Sequence, residues 1–227
     1  MTIEEYFGDW CKVVDTHQAD SIMRKLFSLN KQICPLPKNV FKAFTECEFN
    51  NLRVVLIGQD PYFTLRNGEP VATGIAFANS ADTPEDSFSP SLEILRDSVI
   101  DFTTPSTGVI FDQSLEMWEE QGVLCLNSAL TCEVGKPGSH ALLWRPFLST
   151  LLTNLSRLTT SIVYVLMGSQ AQTLEPYINK RFNHVIRCRH PSYYARTQTR
   201  MPSDIWKQIN DILVGIYGYG IKWYKEY

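Results

Sequence analysis

Four residues in this sequence carry groups that could act together on a polar heterocycle. Asp60 offers a carboxylate, His190 an imidazole, Asn127 an amide and Phe77 an aromatic face. Carboxylates and imidazoles hold charge and move protons. An amide presents a donor beside an acceptor, which suits the edge of a nucleobase, and an aromatic ring can stack on its face. Pro61 follows Asp60, and Pro191 follows His190. Proline drives the preceding residue out of the helical region, so both functional groups should sit on stiff, extended backbone. Each residue alone also has a plain structural reading. Asp60 suits a turn, His190 a strand end, Asn127 a loop backbone in need of a partner, and Phe77 a core. The elements that position them discriminate between the two.

Four apolar runs predict buried strands: Arg53–Gly58, Val123–Asn127, Ser161–Gly168 and His184–His190. They are rich in Val, Ile and Leu and nearly continuous, as in parallel strands covered on both faces. Helical patterns lie between and around them, at Ala19–Gln32, Lys38–Glu46, Ser89–Phe102, Trp144–Leu158, Ser169–Phe182 and Pro202–Gly218. Strands alternating with helices predict an α/β fold: a central four-stranded, mainly parallel twisted sheet with helices on both faces. One domain is expected over residues 1–227. All four strands run into polar or glycine-rich turns, GQDPY, NSA, GSQ and HPS. Parallel sheets bind ligands beyond the carboxyl ends of their strands, so four such turns on one edge read as a site.

Composition narrows the classes. Hydrophobic residues are 44% and charged residues 20% of 227, an ordinary globular balance. No apolar run is long enough to cross a bilayer, and MTIEEYFGDW lacks the features of a secretory or mitochondrial signal. An intracellular protein, cytoplasmic or nuclear, is expected, with no membrane partner. The six cysteines form no CxxC pair and have no histidine at ligand spacing, so no metal and no disulfide framework are expected. Net charge is −3, which argues against a nonspecific nucleic-acid coat. Arg187–Arg200 nevertheless holds Arg187, Arg189, Arg196 and Arg200 with no acid among them. This is either a solvated basic loop or a phosphate-contact face.

These motifs, taken together and in order, resemble family 1 uracil-DNA glycosylases. GQDPY (Gly58–Tyr62) resembles that family's water-activating motif, and HPS (His190–Ser192) resembles its second signature. GIAFAN, SPSLEIL, WEEQGVLCLNSALT, SHALLW, MGSQAQ and the approach ICPLPKNVFKAF match further segments, so the similarity covers most of the chain. The resemblance implies a uracil-DNA glycosylase-like fold and release of free uracil from DNA, single- or double-stranded, by hydrolysis of its N-glycosidic bond. It implies Asp60 and His190 as catalytic residues, and Gln59, Tyr62, Phe77 and Asn127 as uracil-binding residues. Ser91, Ser169, Ser192, Tyr193, Tyr194 and Arg196 would contact DNA. No cofactor is implied; a monomer is expected, with a DNA-mimicking inhibitor protein as a possible partner.

Two positions depart from the family pattern. Phe63 stands where the family usually has histidine, which puts a phosphate-side contact in doubt. Tyr194 stands where it usually has the leucine wedge that fills the gap left by uracil; Tyr193 replaces a common proline and could share that role. Aromatic faces stack well on bases, so a tyrosine wedge is expected. The alternative reading is a catalytically weak glycosylase fold kept for DNA binding or docking.

Overall fold

The computed structural model describes residues 2–103 and 108–226. Its centre is a four-stranded sheet of β1 (Val54–Gly58), β2 (Val123–Asn127), β3 (Val163–Met167) and β4 (His184–Cys188). The order is β2-β1-β3-β4, and every pairing is parallel. Every residue of β1, β2 and β3 is buried. Successive strand residues point to opposite faces, so complete burial means that both faces are covered. The edge strand β4 keeps only Ile186 buried.

The covering helices are α1 (Ile3–Phe7), α2 (Thr16–Ser28), α3 (Lys42–Glu46), α4 (Pro90–Thr103), α5 (Glu116–Glu120), α6 (Ala141–Leu158), α7 (Gly168–Gln172), α8 (Pro191–Thr197) and α9 (Asp204–Tyr217). Two aromatic groups seal the core. Phe7, Phe41, Phe44, Trp144 and Phe147 form one, and Trp118, Trp206 and Trp223 form the other. The buried Trp118 and Trp206 indoles donate to Trp223 O and Ser98 Oγ, both at 2.8 Å, so neither N–H is stranded.

Several helix boundaries differ from the sequence pattern. The expected helix over Ser169–Phe182 is instead the short α7 followed by a 3₁₀ turn at Glu175–Tyr177. Pro176 cannot donate an intrahelical bond and clashes with the preceding turn, so the helix stops early. α2 starts at Thr16, earlier than expected, because the Asp15 carboxylate accepts from Gln18 N at 2.9 Å and caps it. Lys38–Glu46 divides into a 3₁₀ turn at Pro37–Asn39 and α3.

Glu119 is fully buried beneath β2, where its Oε1 accepts from Cys125 N at 3.2 Å and, among the described residues, its Oε2 has no partner. Burial raises its carboxyl pKa well above the ordinary value and so favours the neutral form in the native state. The unfolded chain ionises it at an ordinary pKa, so this contribution to stability is full below that pKa. It declines as pH rises toward the native value. Glu119→Gln keeps a neutral acceptor for Cys125. Its unfolding free energy is expected to gain on the parent by about 1.4 kcal/mol per pH unit above about pH 5, measured by urea titration. A difference that does not change with pH would contradict a neutral Glu119.

Candidate active site

The chain passes from β1 to β2 on one side and returns to β3 on the other, so strand order reverses around β1. Open α/β sheets form their binding crevice at such a point. There the last pair of the β1–β2 register is Gly58 with Asn127. The loops beyond are latched together: Gln59 O accepts from Ala129 N at 3.1 Å and from Ser128 Oγ at 2.9 Å. This leaves the Gln59 side chain exposed at the mouth. Asp60, Tyr62, Phe77, Ser91, Asn127 and His190 line one slot. The space open to the centre of a water-sized sphere is about 30 Å³. Its lining sets an aromatic ring, an amide, an imidazole and a carboxylate around one small cavity.

Gly58 sets the back of the slot. A Cβ there would lie 2.7 Å from Asn127 Oδ1 and 2.7 Å from Phe77 Cζ. The missing side chain therefore lets the Asn127 amide and the Phe77 ring close on one point. Among the described residues, no group engages the Asn127 amide, although the residue is buried. The amide is therefore free to pair with a ligand edge at the slot. Phe77 is held at φ +69°, in the left-handed region that a bulky residue rarely enters. Its carbonyl accepts from Tyr62 Oη at 2.7 Å. Two residues on, buried Asn79 accepts from Ser89 N at 2.7 Å and donates to Ser89 Oγ at 2.8 Å. These bonds tie the stacking segment to the start of α4, where Ser91 enters the slot.

His190 caps α8. Its Nδ1 accepts from Ser192 N at 3.2 Å and lies 2.9 Å from Ser192 Oγ. A backbone amide can only donate, so Nδ1 is the lone-pair nitrogen and the neutral ring carries its proton on Nε2. Burial, assisted by the Arg196 charge, lowers the His190 pKa to about 4. The ring is thus a neutral N–H donor at physiological pH, with its centroid 5.5 Å from that of Phe77. Gly168, at φ +88°, admits this approach, because a Cβ there would meet His190 Cβ at 2.9 Å.

Asp60 is half-buried, and among the described residues its buried Oδ1 has no hydrogen-bond partner. Burial raises its pKa, while the Gly138 amide, the Gln59 side chain and the nearby His140 pull the other way. His140 is itself buried, with Nδ1 2.8 Å from Thr131 Oγ1, which accepts from Trp144 Nε1 at 2.7 Å. This chain of bonds sets an imidazole within electrostatic reach of the Asp60 carboxylate. An Asp lining a slot that also holds an N–H donor can orient a water and face a developing cation.

The remaining candidates lie outside the slot. Ser192 touches His190 directly, and Ser169 is exposed in the first turn of α7 beside Gly168. Tyr193 lies under the Arg189 guanidinium, 4.2 Å from its ring centroid, and meets Tyr194 edge-on at 5.3 Å. Tyr194 is half-buried against the core and lines a groove between α4 and α8, whereas Arg196 is exposed. The basic stretch is partly neutralised in space: Arg187 pairs with Glu175, and Arg200 with Asp101 at 3.3 Å. Arg189 and Arg196 have no carboxylate partner among the described residues, so they carry what positive charge the rim presents.

The Uracil DNA glycosylase superfamily profile matches residues 44–214. The chain belongs to the uracil-DNA glycosylase superfamily. The Uracil-DNA glycosylase of Vibrio campbellii is 33% identical over 214 residues, covering 93% of this chain and 86% of that protein. The fold is that of mimivirus uracil-DNA glycosylase, with a TM-score of 0.80, 24% identity and coverage of 97% of this chain and 86% of the other. A mimivirus UNG variant in complex with UGI aligns with a TM-score of 0.80 at 22% identity, covering 98% and 88%. Within this glycosylase fold, sequence reasoning missed His140, Thr131, Asn79 and Ser89. His140 stands in SHALLW and Ser89 in SPSLEIL, both noted as segments, but nothing local marks either as a neighbour of the slot. Gly58 and Gly168 were legible only as turn glycines.

Proposed function

We propose that Asp60 and His190 hydrolyse the bond between uracil and deoxyribose in DNA, and that the chain is of the family 1 type. Its activity is that of a uracil-DNA glycosylase, a hydrolase of base-excision repair. The observation that carries the residue assignment is a single slot in which a carboxylate and a neutral N–H donor, from separate strands, flank a free amide and an aromatic face. A base inside a duplex must be extruded to enter such a slot. Phe77 stacks on the ring, and Asn127 donates to O4 while accepting from N3–H. Tyr62 stands against C5, where thymine carries a methyl.

Bond cleavage develops positive charge on the sugar and negative charge on uracil. His190 Nε2–H donates to O2 as that charge appears, and its low pKa means that it stabilises the anion without being an acid itself. Asp60 stabilises the sugar cation and accepts a hydrogen bond from the attacking water. The uracil anion is delocalised over its ring, so no strong general acid is needed. Ser91, Ser169 and Ser192 hold phosphates around the flipped nucleotide, with Tyr193, Tyr194 and Arg196 against the strand. Tyr194 is the wedge. The enzyme acts as an intracellular monomer on single- or double-stranded DNA, and a DNA-mimicking inhibitor would cover this same rim.

The test is product analysis. A defined oligonucleotide should yield free uracil and an alkali-labile site, with no release from thymine or cytosine controls; intact uracil strands would refute the reading. Asn127→Asp should lower uracil release by about 10²-fold or more and confer measurable cytosine release, since the donor–acceptor order of the pocket is altered. Unchanged discrimination would remove Asn127 from base reading. Phe63 is exposed and offers no donor to a phosphate. Phe63→His should raise kcat/KM at low salt by roughly 3–10-fold, with the gain shrinking as salt rises.

A further inference from the structure

Cys34 and Cys132 stand directly opposite each other in an antiparallel ribbon formed by Ile33–Cys34 and Cys132–Glu133. Both are fully buried. Directly opposed residues of antiparallel strands have Cα atoms about 4.5–5.5 Å apart, inside the range that a disulfide spans. Both are free thiols here. The pair also adjoins the slot. Cys132 Sγ donates to the carbonyl of Pro61 at 3.6 Å, and Pro61 is the residue after Asp60. Tyr62 packs against the same small cluster of Cys34, Ala72 and Cys132. On the other side, Cys132 follows Thr131, the partner of His140.

We propose that Cys34 and Cys132 are a modification site, forming a disulfide with hydrogen peroxide that lowers turnover by disturbing the loop of Asp60 and Tyr62. The inference rests on the assignment of Asp60 as the catalytic carboxylate. The neighbouring Cys132 sulfur lowers the Cys34 pKa against its burial, while Cys34, burial and the Asp60 charge raise that of Cys132, so Cys34 is the better nucleophile of the pair. The Cys34 thiolate attacks one peroxide oxygen and breaks the O–O bond; with one proton taken up, it becomes a sulfenic acid and releases a water. The Cys132 sulfur then displaces the hydroxyl from Cys34 sulfur, and its own proton leaves in a second water. In total, two thiols and one hydrogen peroxide give one disulfide and two waters. A ribbon of two residue pairs is short enough to open locally and admit the oxidant.

The disulfide removes the S–H that Pro61 O accepts and draws the sulfurs to about 2.05 Å, so the ribbon must shift against the catalytic loop. Displacements of about 1 Å near a reacting centre lower rates by up to about 10²-fold. The full chain is treated with hydrogen peroxide, then assayed on a uracil-containing oligonucleotide before and after dithiothreitol. Peptide mapping should find a Cys34–Cys132 cross-link, with turnover reduced at least about tenfold and restored by the thiol. Cys34→Ser retains Cys11 and Cys188 and should keep its activity under peroxide; Cys132→Ser serves as the control if that variant folds poorly. No cross-link, a cross-link without loss of turnover, or equal loss in the serine variant each overturns the proposal. A fully reduced protein that releases no uracil would instead refute the reading of the slot.

Discussion

Asp60→Asn is expected to lower kcat for uracil release by about 10³-fold while leaving Kd for uracil-containing DNA within about threefold of the parent. The substitution preserves shape, so neither the Phe77 stack nor the Asn127 edge is disturbed. What is lost is the negative charge facing the sugar as the bond breaks, together with an acceptor for the attacking water. Both act in the transition state, so the loss falls on turnover and not on binding. The same carboxylate should govern pH dependence. In the proposed role it works ionised, and burial raises its pKa from the ordinary value. Activity of the parent should therefore fall as pH drops through that raised value, and the residual activity of Asp60→Asn should lack this limb. His190 titrates at about 4, so it should add no limb near neutrality. Single-turnover kinetics with a parallel binding titration checks all three statements. Near-full activity of the Asn variant on uracil-containing single strands would end the mechanism.

Gly58→Ala is expected to reduce kcat/KM on uracil-containing DNA by about 10²-fold with little change in Tm. The added methyl would sit 2.7 Å from Phe77 Cζ and from Asn127 Oδ1. Ordinary carbon contacts begin near 3.5 Å, so one or both functional groups must move by roughly 1 Å. Gly58 lies in regular strand with no positive φ, so alanine strains no backbone, and the collision is confined to the slot. Gly122 offers the contrast: it has φ +86°, and a Cβ there would meet Asn51 O at 2.0 Å. Alanine at 122 should lower Tm; alanine at 58 should lower activity. Activity of Gly58→Ala within twofold of the parent would show that the slot has slack the geometry denies.

Unbroken apolar runs ending in GQDPY, NSA, GSQ and HPS were enough to read a parallel sheet with chemistry along one edge. That works because strand burial and turn chemistry are properties of adjacent residues: a chain covered on both faces must be apolar at every position, and proline acts on its immediate neighbour. The helix expected over Ser169–Phe182 stops early for an equally local reason: Pro176 breaks it. Other features were decided only in three dimensions. Arg187 and Arg200 look like free charges until folding brings Glu175 and Asp101 to them. Glu119 reads as an exposed helix acid, yet packing buries it under β2. Gly58 gains its importance from Phe77 and Asn127, and Cys34 meets Cys132 only because their ribbon pairs them. Contacts between residues tens of positions apart follow from how the elements pack, and no window of neighbouring residues contains that packing.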